Sequence, residues 1–191
     1  MARQFSGCRQ KVFNRGRAPL AFLNELVDWA LQAPAEVFAR NAKFDIYSSV
    51  VHQLGPWEGD RHRRAAMLEV LRVLGGFESS WNWAEGVDAS NPASNTPCTE
   101  EAGIFQCSGN SMAFSPTLKA LLLATGADGS CESFIVTTKT NHRFAIEYCA
   151  RLLRFTTRHH GPIKGGHIHP WLSRAAMREF QGFLAVSLPP G

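Results

Sequence analysis

No window of this 191-residue chain offers the ~20 consecutive apolar residues that a membrane-spanning helix requires. Five basic residues lie between Met1 and Arg17 (Arg3, Arg9, Lys11, Arg15 and Arg17), but no apolar core follows them as in a secretory signal. The next apolar stretch, Leu20 to Leu31, is interrupted by Asn24, Glu25 and Asp28. The chain is therefore expected to be made in the cytoplasm without a Sec signal, and to leave, if it leaves, by another route. No CxxC spacing occurs, which argues against a zinc knuckle, and HExxH, the zinc-protease signature, is absent. There is no internal repeat, no low-complexity tract and no linker, so residues 1–191 read as one domain with residues 1–18 as a basic N-terminal segment.

What is present suits a folded domain. Hydrophobic residues make up 45% and charged residues 19%, a balance that can close a core. Lys and Arg number 20 against 16 Asp and Glu, for a net charge of +4. So mild an excess suits any anionic partner and selects none. The five cysteines, Cys8, Cys98, Cys107, Cys131 and Cys149, leave at least one outside intramolecular disulfides. Cys98 and Cys107 bracket a short loop and could pair in an oxidising compartment; Cys149 reads as a small buried hydrophobe.

The hydrophobic pattern predicts a mainly α fold. Leu23, Leu26, Val27 and Ala30 stripe a helix from Pro19 to Leu31. A second helix is expected from Ala35 to about Leu54, and a third is capped by Asp60. In the third, Met67, Leu68, Val70, Leu71, Val73 and Leu74 are apolar on most sides, the mark of a central helix. Gly75-Gly76 weakens it, and Phe77 to Ser80 ends it. Between Trp81 and Pro116, Asn, Ser, Thr, Gly and Pro take over. A connection that long in a compact domain is usually functional, and it has room for a short β-hairpin. Helices follow at Pro116–Ala124, Asn141 to about Arg158, and Trp171–Leu184. The expected architecture is a helical bundle around a central helix, with a loop-rich lobe.

Glu78 stands out by position. It ends the central helix, where carbonyl dipoles disfavour a negative charge, and Phe77, Trp81 and Trp83 offer a low-dielectric wall. Such surroundings favour the protonated carboxyl that a general acid needs. An exposed glutamate fraying from a helix end is the bland alternative.

A resemblance adds to this reading. Phe77-Glu78-Ser79-Ser80-Trp81-Asn82 resembles the Glu-Ser segment of soluble lytic transglycosylases and goose-type lysozymes. Ala102-Gly103-Ile104-Phe105-Gln106 is similar to their Gly-Leu-Met/Phe-Gln motif. The segment from Thr140 to Phe155, with Tyr148 and Leu152-Leu153, resembles their Asn-Ile-x-x-Gly-x-x-Tyr-Leu-x-x-Leu-Leu helix. The three stand in the family's order and cover Phe77 to Phe155. The resemblance implies a lysozyme-like α+β fold and cleavage of the glycan strand of peptidoglycan, by a muramidase or a lytic transglycosylase. Glu78 would be the acid. Ser79, Trp81, Gly103, Phe105, Gln106 and Tyr148 would line the substrate, with Gln106 reaching an acetamido group and Trp81 or Trp83 stacking on a sugar.

The chain also departs from that pattern. The stretch from Glu78 to Gly103 is long, the Ala-Tyr-Asn-x-Gly segment is missing, and Cys107-Ser108 follows Gln106. These departures resemble the glycoside hydrolase effectors of type VI secretion, antibacterial toxins that degrade the cell wall in the target cell's periplasm. A phage endolysin fits as well. A toxin implies a cognate immunity protein occluding the cleft. Neither nucleic acid nor membrane is expected as a partner, and no cofactor or metal. Inverting hydrolysis needs a base carboxylate ~6.5–9.5 Å from the acid, and Asp88, Glu100 and Glu101 are the candidates; a transglycosylase needs none, because the sugar's own 6-hydroxyl attacks.

Three other readings compete. Cys107 with His142 or His167 would make a cysteine amidase acting on the peptide of the wall. His159, His160, His167 and His169 would make a metal hydrolase, although loop histidines are commonly surface residues. A wall-binding module without catalysis would keep the cleft and have no need of Glu78.

Overall fold

The computed structural model describes residues 2–41, 45–86 and 96–185. It is mainly helical, with two small antiparallel hairpins among the described residues. None of its described helices is long and apolar enough to cross a membrane. β1 (Lys11–Val12) pairs with β2 (Gly16–Arg17), and α1 spans Leu20–Gln32. The short helices α2 (Ile46–Ser49) and α3 (Val51–Leu54) lead to α4 (Asp60–Ser79). β3 (Glu101–Ala102) pairs with β4 (Cys107–Ser108), with Glu101 opposite Ser108 and Ala102 opposite Cys107. α5 (Pro116–Leu123), α6 (Cys131–Thr140), α7 (His142–Phe155), α8 (Gly161–Lys164) and α9 (Arg174–Ala185) complete the chain.

α4 is the central helix that its all-round apolar pattern predicts. Its buried residues run almost without a break from Ala65 to Gly76, and it packs against α1, α7, α8 and α9. The two glycines near its end serve packing. A Cβ on Gly76 would lie 2.8 Å from Cζ2 of Trp81, and one on Gly75 would lie 3.2 Å from Cδ1 of the same ring. The core therefore accepts Trp81 because this stretch of helix has no side chains. Two charged residues are also sealed inside. Arg72 meets Glu69 through Nε and Nη2 at 2.7 Å each, with both side chains fully buried. Glu69 also accepts the Ser173 amide at 2.8 Å, so the pair anchors the entry to α9.

Several boundaries differ from the sequence reading. The expected helix from Ala35 to Leu54 is instead a 3₁₀ turn at Ala35–Phe38 followed by α2 and α3. Asp45 starts α2 by accepting the Ser48 amide at 2.8 Å, which sets a new helix start inside the predicted span. α4 is capped by Gly59 at φ 113°, while Asp60 is its first residue and pairs with Arg64. α6 was not expected: Ile135, Val136 and four threonines and serines give it poor helix propensity. Burial of Phe134 and Thr138 against its neighbours outweighs that deficit. The basic N-terminal segment also joins the fold, since Cys8, Val12 and Ala18 are buried and Glu179 on α9 accepts the Ser6 and Cys8 amides at 2.7 Å each.

Candidate active site

The end of α4 and the β3–β4 hairpin are tied together. Ser79 Oγ donates to the Ile104 carbonyl at 2.8 Å and accepts the Asn82 amide at 3.1 Å. The hairpin turn requires its residues: Gly103 has φ 71°, and a Cβ there would lie 2.8 Å from the Thr138 methyl. Gln106 closes the turn, its side-chain amide donating to the Gly103 carbonyl at 2.8 Å. Phe105 packs behind it, fully buried. Ser79, Gly103, Phe105 and Gln106 thus gather into one connected unit next to Glu78.

Glu78 sits in the last turn of α4 with its side chain 15% exposed. Its Oε1 lies 3.3 Å from Nδ1 of His160, whose side chain is 1% exposed. The opposite ring nitrogen, Nε2, faces two thiols, Cys107 Sγ at 3.9 Å and Cys149 Sγ at 3.7 Å. Cys107 comes from β4, Cys149 from α7, and His160 from the turn entering α8. Burial works against a charged His160, but hydrogen bonds to Cys107 and Glu78, and the charges of both, outweigh it and push the ring up to about 10. The Cys107 thiol is drawn down to about 6, first by the hydrogen bond from Cys149 and then, against burial, by His160. Cys149 moves the other way, raised by burial and by its neighbour Cys107. The thiol and imidazole atoms of Cys107, Cys149 and His160 all lie within 4.8 Å of one another.

Other predicted site residues fall elsewhere. Trp81 is 6% exposed, and its Nε1 donates to the Arg72 carbonyl at 2.9 Å; the ring belongs to the core and has no face for a sugar. Trp83 stacks on His142 with ring centroids 3.8 Å apart. Tyr148 is buried, its hydroxyl 2.7 Å from Ser111 Oγ and its ring against Phe134 and Phe144, so its place is structural as well. Glu101 opens β3 and is exposed, and Glu100 faces Lys139 at 3.7 Å. Asp88 lies outside the described residues.

The histidine and cysteine readings need correction. His142 engages Glu25 at 2.7 Å and His167 is exposed; the ring beside Cys107 is His160. The four C-terminal histidines do not assemble; among the described residues the set that gathers is Cys107, Cys149 and His160. His160 looks like a loop residue in sequence because Gly161-Pro162 follows it, yet it is buried. Cys98 bonds to Cys131 rather than to Cys107. The register of β4 turns Cys107 inward toward α7, while Cys131 opens α6 next to Gly109. Two surface depressions do not include Glu78 in their linings: one lies between α1 and α7, around Glu25, Trp29 and Arg143, and the other lies along α6.

Comparison with known protein families, characterised proteins and solved structures finds no match.

Proposed function

We propose that this chain cleaves the glycan strand of peptidoglycan, with Glu78 as the general acid, and that its architecture is lysozyme-like. The observation that carries the reading is the attachment of a part-exposed Glu78, at the end of a buried helix, to the Gly103–Gln106 hairpin through Ser79 and Ile104. Glu78 takes up a proton from solvent and passes it to the glycosidic oxygen as the bond to the sugar carbon breaks. The carboxylate so restored accepts the hydrogen bond from His160 Nδ1–H. The sugar cation is captured by water, with Glu101 as the candidate base, or by the sugar's own 6-hydroxyl, which requires no second carboxylate. The Cys98–Cys131 disulfide suits action in an oxidising compartment such as the periplasm. Delivery as an antibacterial effector, held in check in its maker by an immunity protein that fills the site, completes the proposal.

One observation favours a second reading. Cys107, His160 and Glu78 stand in line as nucleophile, base and orienting carboxylate, which is the layout of a thiol amidase. Cys107 is 1% exposed, so a substrate carbonyl cannot reach it in this conformation, and the glycan reading stands first. Mass spectrometry of the fragments released from purified wall separates the two. New sugar ends, reducing or anhydro, support glycan cleavage; new amino or carboxyl groups on the peptide, with intact glycan, would replace it with the amidase.

A further inference from the structure

We infer that Cys107, Cys149 and His160 form a binding site for a thiophilic d10 cation, zinc(II) being the expected occupant. Three donors from three separate elements converge on one point. The Sγ atoms lie 3.9 and 3.7 Å from His160 Nε2, and all three atoms fall within 4.8 Å of one another. With Zn–S of about 2.3 Å and Zn–N of about 2.0–2.1 Å, tetrahedral ligation separates sulfur from nitrogen by roughly 3.6 Å and sulfur from sulfur by roughly 3.8 Å. The sulfur–nitrogen distances need adjustments of only a few tenths of an ångström, and the two sulfurs, within 4.8 Å of each other, approach by at most about 1 Å.

The surroundings fit the same assignment. A metal-bound histidine characteristically donates its other ring N–H to a carboxylate, which fixes the tautomer and aims the free lone pair at the ion. Glu78 occupies that position on Nδ1 at 3.3 Å, leaving Nε2 directed at the two thiols. Two thiolates and one imidazole are a soft donor set that selects zinc over calcium or magnesium. Their two negative charges also neutralise a divalent cation inside a site where all three ligands are buried. One tetrahedral vertex remains after the three protein ligands, as in zinc sites that admit a small exogenous ligand. Cys8 supplies the contrast: it is equally buried, but it faces the Ala176 carbonyl and the Glu179 carboxylate, with no second thiol or imidazole.

The site does not depend on the glycan reaction, and metal binding tests it without any activity assay. The full chain, purified under reducing conditions without chelator, is expected to carry one zinc per molecule by elemental analysis. After the metal is stripped, titration with cobalt(II) should give thiolate-to-cobalt charge-transfer absorption and tetrahedral ligand-field bands that saturate at one equivalent. Cys149→Ser should abolish stoichiometric binding, Glu78→Gln should weaken it by roughly 10–100-fold, and Cys8→Ala should leave it unchanged. If Cys149→Ser does not fold, the wild-type cobalt spectrum decides alone, because the charge-transfer band requires thiolate ligation. Absence of that band, equal loss of binding in Cys8→Ala, or a Cys107–Cys149 disulfide in the unreduced protein would each overturn the assignment.

Discussion

Glu78 Oε1 lies 3.3 Å from His160 Nδ1, so the carboxyl group that ends the central helix is backed by a buried ring. That ring in turn faces two thiols from β4 and α7. Side chains from four separate parts of the chain thus share one polar cluster, separate from the buried Glu69–Arg72 pair. What each member contributes can be tested separately.

Replacement of Gly76 by alanine tests the packing that brings Trp81 beneath the site. The new Cβ would lie 2.8 Å from a ring whose Nε1 is already committed to the Arg72 carbonyl. Overpacking of this kind costs about 1–3 kcal/mol. Alanine's better helix propensity returns up to about 1 kcal/mol. Gly76→Ala is therefore expected to unfold at lower urea concentration than wild type, and a variant more stable than wild type would contradict the packing account.

Glu179 links stability to acid. Partial burial opposes its charge, but the Cys8 and Ser6 amides and both side chains donate to it, so its carboxyl is lowered to about 2 from an ordinary value of 4.5. A carboxyl depressed in the folded state stabilises the protein above the unfolded value, and that contribution is lost as pH falls through the folded one. Wild type should lose this contribution between about pH 4.5 and 2, while Glu179→Gln should be less stable at neutral pH and show a flatter acid limb. Parallel acid-unfolding curves for the two proteins would refute the role.

Cys98 and Cys131 are 33 positions apart, and their disulfide fastens the loop-rich lobe to the start of α6. Cross-links of this kind typically contribute about 2–4 kcal/mol. A reducing agent should lower the melting temperature of wild type but not that of a Cys98→Ala/Cys131→Ala variant. Alkylation of both residues in native, unreduced protein would show that the bond does not form.

Much of the frame was legible in the sequence because burial leaves periodic marks. The all-round apolar pattern of residues 67–74 identified α4 as central, and the helix expected from Asn141 to about Arg158 is α7. α6 was missed because local propensity opposes it and only tertiary burial holds it. A short hairpin was expected within the loop-rich stretch from Trp81 to Pro116, and β3 and β4 form one there. The place of His160 was not legible, because its contacts with Cys107 and Glu78 depend on how the chain folds back after α7, and nothing in a Gly-Pro-flanked histidine encodes that. Trp81 and Tyr148 were misread as cleft residues because aromatic residues look alike in sequence whether they stack on a ligand or fill a core.

Cys107→Ser separates the two catalytic readings. Serine cannot supply a low-pKa thiolate, so an amidase would lose its nucleophile. Glycan cleavage by Glu78 should persist in a folded Cys107→Ser protein. Loss of all wall-degrading activity with the fold intact would favour the thiol mechanism.

The most direct test is lysis of purified peptidoglycan by wild type and by Glu78→Gln at equal concentration, with folding checked by circular dichroism. Glutamine keeps the shape of the side chain but cannot donate a proton as an acid, and that donation is typically worth 10²–10⁴-fold in rate. The account predicts that wild type releases soluble muropeptides with new sugar ends and that folded Glu78→Gln releases them at least ~100-fold more slowly. Equal rates from the two proteins, or no release of new sugar ends by wild type, would contradict it.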